Sequence, residues 1–256
     1  MEQRYAESLQ RLTLQLQQET RRAVERLYNG DTAQEFFAED ASIAAAVKKV
    51  FSKLAARFDE LFSLNAPKMA ETMLNGVDKQ STTALHSSLS KLTGGMSLKT
   101  SVVSGDMKQV IAASVSNNVD LIKTIASEYL DGVKQAVNRS IVTGNGLADL
   151  VPFLDAYDNK TRNYAKNLAL DQTRKAYTGL NKGRMKKLGV KQFTWLHSAG
   201  GQHPRKEHQA LSGQVFDLDD PPVIGVMYGE EVRGLPGHLP NCKCTMKPVI
   251  KFGDEE

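Results

Sequence analysis

Gln192-Phe193-Thr194-Trp195-Leu196, His203-Pro204-Arg205-Lys206-Glu207-His208 and Pro236-Gly237-His238-Leu239-Pro240-Asn241-Cys242-Lys243-Cys244 all fall within one stretch, 192–248. That stretch gathers four of the five histidines, both cysteines and the only tryptophan. In its first run Phe193, Trp195 and His197 alternate with Thr194 and Leu196, the period of a strand. Ser198-Ala199-Gly200-Gly201 then makes a turn. Short strand candidates follow at Gln214-Val215-Phe216, at Val223 to Val226 and at Met246 to Phe252, among many Gly, Pro and Asp residues. So few apolar residues per length leave such a module in need of further stabilisation.

Zinc would supply it. His203 and His208 are separated by four residues, His238 and Cys242 by three, and Cys242 and Cys244 complete a set. Any four of these five would form a tetrahedral site of nitrogen and sulfur ligands, whose binding free energy becomes folding free energy. Cys-x-Cys is a less usual pairing than Cys-x-x-Cys, and the alternative is two small buried thiols beside ordinarily hydrogen-bonded histidines. A disulfide between Cys242 and Cys244 would be strained and would close almost no loop.

The same residues raise the question of catalysis, through a thiol nucleophile or through a metal-bound water activated beside Glu207 or Asp217. No HExxH, phosphate-binding glycine loop or G-x-S-x-G elbow accompanies them. No residue is therefore assigned a catalytic role, and the chain reads as a non-enzyme, with a zinc-dependent hydrolase or nuclease as the alternative.

Outward from this stretch the sequence is helical. A helix from about Asp158 to Tyr177 and the segment after it concentrate positive charge: Lys160, Arg162, Lys166, Arg174, Lys175, Lys182, Arg184, Lys186, Lys187 and Lys191 meet a single acidic residue, Asp171, between Lys160 and Lys191. Lys166, Arg174, Lys175, Lys182, Arg184, Lys186 and Lys187 are the candidate contacts to DNA phosphates, the alternative being a solvated helix face. Without interleaved aromatic residues, backbone contact with a duplex fits better than stacking on single strands.

Farther back, Tyr5, Leu9, Leu12, Leu16, Ala23 and Leu27 recur at three- and four-residue steps and predict one amphipathic helix over 4–28, with Gly30 as its C-cap. Ile43, Val47, Val50, Phe51, Leu54, Phe58, Leu61 and Phe62 predict a second helix from about 41 to 64, which Asn65-Ala66-Pro67 should end before another begins. Gly94-Gly95 to Ser104-Gly105 reads as a hinge. A third helical stretch over 110–141, with a candidate interruption at Asn117-Asn118, and a short helix over 147–154 follow. The expected fold class is α+β and mainly α: a helical N-terminal half, 1–104, then a helical module, 105–256, ending in a small β-rich His/Cys subdomain over 192–250.

Composition agrees with a globular chain. It has 256 residues, 41% of them apolar, and a net charge of +4, too modest to argue for nucleic acid unless concentrated as above. The N-terminus lacks the basic-apolar-small succession of a signal peptide, and no apolar run is long enough to cross a bilayer. Folding in a reducing host cytoplasm is expected, with no membrane partner.

With these residues in hand, the run Trp195…His203-Pro204-Arg205-x-x-His208-x-x-Leu211-x-Gly213-x-Val215-Phe216, followed by Pro240-Asn241-Cys242-Lys243-Cys244 and Pro248, resembles the C-terminal signature of the phage Mu F-like family of head morphogenesis, or minor head, proteins. Leu168-Ala169-Leu170-Asp171-Gln172-Thr173-Arg174-Lys175-Ala176 resembles the family's preceding helix. The resemblance covers about Asn118 to Pro248. It departs from many members at Gly200-Gly201, where they have an aspartate, and at Lys243, where they have arginine. It implies a minor head protein of a tailed double-stranded DNA phage or prophage, located in the head interior of the virion. Implied partners are the portal protein, scaffold or major capsid protein, and packaged DNA. Trp195, Arg205, Gly213, Pro240, Asn241 and Pro248 become motif residues, with Arg205 expected to hold a carboxylate or a backbone carbonyl near the site. Some relatives carry a toxin domain such as an ADP-ribosyltransferase after the signature; with Glu256 following so soon, none is expected here.

Overall fold

The computed structural model describes residues 1–29, 43–94, 105–144, 146–199 and 203–250. Four long helices, α1 (Glu2–Tyr28), α2 (Ile43–Leu92), α3 (Gly105–Thr143) and α4 (Leu147–Lys187), precede β1 (Gln192–Leu196), a short helix α5 (Lys206–Ala210), β2 (Val215–Asp217), β3 (Val223–Met227), β4 (Glu230–Arg233) and β5 (Thr245–Val249). The mainly helical α+β class expected from the sequence is what the chain adopts. Among the described residues no helix is long and apolar enough to cross a membrane.

The helices differ from expectation where two short ones were predicted and one long one forms. Pro67 sits inside α2 instead of opening a new helix, and Pro152 sits inside α4, which joins the two pieces expected at 147–154 and 158–177. A proline removes one helical hydrogen bond and crowds the preceding turn, at a cost of about 3 kcal/mol. The apolar stripe runs through the site regardless: Phe58, Phe62, Ala66, Ala70 and Met73 are all buried at helical spacing around Pro67. Nor does Asn117-Asn118 interrupt α3, since Asn118 is buried and its Oδ1 accepts the Tyr5 hydroxyl at 3.2 Å. The expected cap at Gly30, the hinge residues 95–104 and the turn residues 200–202 lie outside the described residues.

Compact packing divides the chain into two units that are discontinuous in sequence and do not follow the division at 104/105. One comprises 2–71 and 115–169. Here the seam of α1 is taken up within the chain: Leu9, Leu16 and Val24 are fully buried. Several buried polar groups inside this unit find partners, though Thr20 Oγ1 has none among the described residues. Gln17 Nε2 donates to the Asp158 carbonyl at 2.9 Å, and the Tyr129 hydroxyl donates to Asp158 Oδ1 at 2.7 Å. Arg21 pairs with Asp155 at 2.5 Å.

The other unit comprises Met1, 72–114 and 170–256. Its sheet has the order β2-β1-β5, antiparallel throughout, with Phe193 opposite Phe216 on one side and Pro248 on the other. Pro248 is tolerated because β5 is an edge strand, where a missing N–H breaks no ladder on its outer side. β3 and β4 form a separate hairpin; β4 and α5 were not anticipated. Phe193 and Trp195, alternating inward as their period predicted, are fully buried in a core that includes Leu85, Leu89, Met185, Leu218, Ile224 and Leu239.

A candidate metal centre in the His/Cys subdomain

Three short elements deliver the side chains. β1 ends one residue before His197, α5 carries His208, and the Pro236–Cys244 segment brings both cysteines into the core between β4 and β5. Cys242 and Cys244 are buried while Lys243 between them is exposed, the alternation of an extended backbone, so both sulfurs share one side. His208 is 2% exposed, and the Trp195 indole meets it edge-on at 5.2 Å between ring centroids.

His208 is oriented by a backbone carbonyl. Its Nε2 lies 2.9 Å from the carbonyl oxygen of Ile224. A carbonyl only accepts, so Nε2 carries the proton and Nδ1 presents its lone pair. That lone pair faces two sulfurs, Cys242 Sγ at 3.4 Å and Cys244 Sγ at 3.6 Å. The three ligand atoms lie within 4.8 Å of one another. His197 Nδ1 is 3.5 Å from Cys244 Sγ.

The two thiols are held unequally. A hydrogen bond from the Cys244 thiol lowers Cys242 to about 5 against the penalty of burial, helped by the Gly237 N–H. Gly237 N donates to Cys242 Sγ at 3.4 Å. Cys244 moves upward, chiefly because its proton is shared with Cys242 and because it is buried.

The turn bearing the cysteines is tied to α4. Asn241 has a left-handed backbone, φ 60°, and its N–H donates to Asp171 Oδ1 at 2.8 Å. Burial raises the Asp171 carboxyl, which the Asn241 N–H and Arg174 partly offset. Thr178 Oγ1 donates to the Pro236 carbonyl at 2.7 Å. Gly237 has φ 87°, where a side chain is strained, and a Cβ there would crowd Thr178 Oγ1 at 3.2 Å. Arg205 Nη2 donates to the Pro240 carbonyl at 2.9 Å. Gly213, φ 82°, turns the chain and donates to the Trp195 carbonyl at 2.8 Å.

Of the five ligands expected from spacing, His208, Cys242 and Cys244 come together. His203 is exposed and outside the group, and His238 Nδ1 faces the Leu235 N–H at 3.4 Å. Spacing alone could not choose among the histidines. His197, absent from the expected set, stands beside Cys244, and the strand period that points Phe193 and Trp195 inward was the signal that could have found it. The candidate phosphate-binding residues also divide. Arg184 is 1% exposed, bonded to Asp78 and Ser81, and cannot face a phosphate. Lys182 and Lys186 pair with Asp219, and Arg174 lies 3.9 Å from Asp171. Lys166 and Lys187 are exposed, and Lys175 is half-buried.

Residues 131–247 match the model of the family described as Phage Mu protein F like protein. A Haemophilus influenzae protein described as uncharacterized is 27% identical over 225 residues, 86% of this chain and 48% of the relative. The chain thus spans about half the length of that relative. No solved structure matches. The matched region contains the whole His/Cys cluster, its Trp195 backing and the Asp171 anchor, so the likeness to the Phage Mu F-like family lies over residues 131–247, a little under half of the chain.

Proposed function

We propose that this chain is a minor head protein of a tailed double-stranded DNA phage or prophage, acting in head morphogenesis at the portal and the procapsid interior. The observation that carries this reading is the family match over 131–247, which spans the cysteine-bearing turn and the helix that anchors it. The role is structural: the module is built as a folded, internally tied unit for assembly, and its location is the head interior of the virion. Contact with packaged DNA is part of the proposal. It falls to Lys166, Lys175 and Lys187, all carried on the charge-dense helix α4. The experiment is to purify particles from an induced lysogen with and without an intact gene and to identify the chain in procapsids and DNA-filled heads by mass spectrometry. A few copies per head, with defective heads in its absence, is the expected result. Normal, infectious particles that contain none of the chain would overturn the proposal.

A further inference from the structure

We propose that His208, Cys242, Cys244 and His197 form a closed zinc site, with His208 and His197 binding through Nδ1. The inference is independent of the head-assembly reading. Zinc bonds of about 2.3 Å to sulfur and about 2.0 to 2.1 Å to nitrogen, at a tetrahedral angle, place the two ligand atoms roughly 3.5 Å apart. The sulfur-to-nitrogen separations here are 3.4, 3.6 and 3.5 Å. Hydrogen bonding alone accounts for them poorly, because the one lone pair on His208 Nδ1 faces two sulfurs at nearly equal distance and can accept well from only one. A cation at their centre satisfies all three atoms at once.

The surroundings suit a bound ion. The Ile224 carbonyl fixes the His208 tautomer, the usual outer partner of a metal-binding imidazole. The Trp195 indole nitrogen is fully buried without a hydrogen-bond partner. Trp195, Cys242 and Cys244 belong to the same buried cluster, where a metal-bound thiolate would supply the missing acceptor. The Gly237 N–H already points at Cys242 Sγ. His197 is half-buried just past the end of β1, with its Nδ1 3.5 Å from Cys244 Sγ but outside the 4.8 Å span of the other three, so its ring must turn to reach the fourth corner. With His208 and both cysteines nearly inaccessible and a fourth protein ligand in place, no position remains for a reacting water, which sets the site apart from a hydrolase centre.

The test uses the full chain. Native mass spectrometry after zinc loading and gel filtration is expected to show one zinc per chain, and titration with Co²⁺ to show thiolate charge transfer with tetrahedral d–d bands. His197→Ala should weaken zinc at least tenfold and alter the cobalt d–d bands, whereas His203→Ala and His238→Ala should change neither. Folded chain that retains no zinc and gives no cobalt spectrum overturns the site, and this arm needs no variant to fold. Unchanged zinc affinity in His197→Ala, or its loss in His203→Ala or His238→Ala, overturns the ligand set.

Discussion

Asp171 on α4 accepts the backbone N–H of Asn241 at 2.8 Å, so the helix holds the turn that aims Cys242 into the core. Seventy residues separate the two in sequence. Asp171→Ala removes the acceptor of that N–H and is expected to cost about 0.5 to 1.5 kcal/mol of the unit's stability, read by urea unfolding of the full chain. Asp171→Asn retains an acceptor oxygen and should stay within about 1 kcal/mol of the parent. The pH response has a definite sign. Burial raises the folded Asp171 carboxyl above its unfolded value, so ionisation favours the unfolded state and Asp171's contribution falls as pH rises from the ordinary carboxylate range through the raised folded value. In Asp171→Asn that component should vanish from the melting temperature plotted against pH; an identical profile would refute it.

Asn241 itself occupies φ 60°, where a side chain other than Asn or Gly is strained. Asn241→Ala should destabilise by about 1 to 2 kcal/mol, while Asn241→Gly should be close to neutral. Chemical denaturation of both variants checks the difference, and equal costs would show that the backbone geometry is not what the asparagine serves.

Arg184 is an internal ion-pair partner. With Asp78 and Ser81 as its partners, Arg184→Met leaves the half-exposed Asp78 carboxylate unpaired and should cost about 1 to 3 kcal/mol. The double variant Arg184→Met, Asp78→Leu should recover much of the loss, since an apolar pair often replaces a buried ion pair at little cost. No recovery in the double variant would mean that the arginine acts through packing alone.

For DNA, Lys166, Lys175 and Lys187 changed together to Gln should reduce the slope of log affinity against log salt by about 0.9 for each phosphate that is no longer neutralised. Fluorescence anisotropy with a duplex of unrelated sequence measures it. An unaltered slope would remove these three lysines from the interface.

Pro67 offers a stability gain. Pro67→Ala restores an N–H inside α2, where the apolar stripe on both sides is already packed, and should stabilise by about 1 to 3 kcal/mol with a rise in helical circular dichroism. Destabilisation instead would show that the proline ring fits a bend that the helix requires.

Much of the architecture was legible in the one-dimensional pattern because periodicity is local. Alternation at Phe193 and Trp195 gave an inward strand face, and steps of three and four residues along α1 and α3 gave their buried sides, since each depends only on neighbours within a turn or a pleat. The motif residues were equally visible as a set, and Arg205 does hold a backbone carbonyl, that of Pro240. What the sequence determined by itself was therefore the helical class, the β-rich ending and the convergence of cysteine and histidine chemistry near 192–248. Tertiary structure alone decided which histidine reaches the sulfurs, because ligand choice depends on distances of a few ångströms between segments far apart in the chain. It likewise decided that Arg184 turns inward to Asp78 and that α2 runs through Pro67, since in both cases packing outweighs the local preference that the sequence displays.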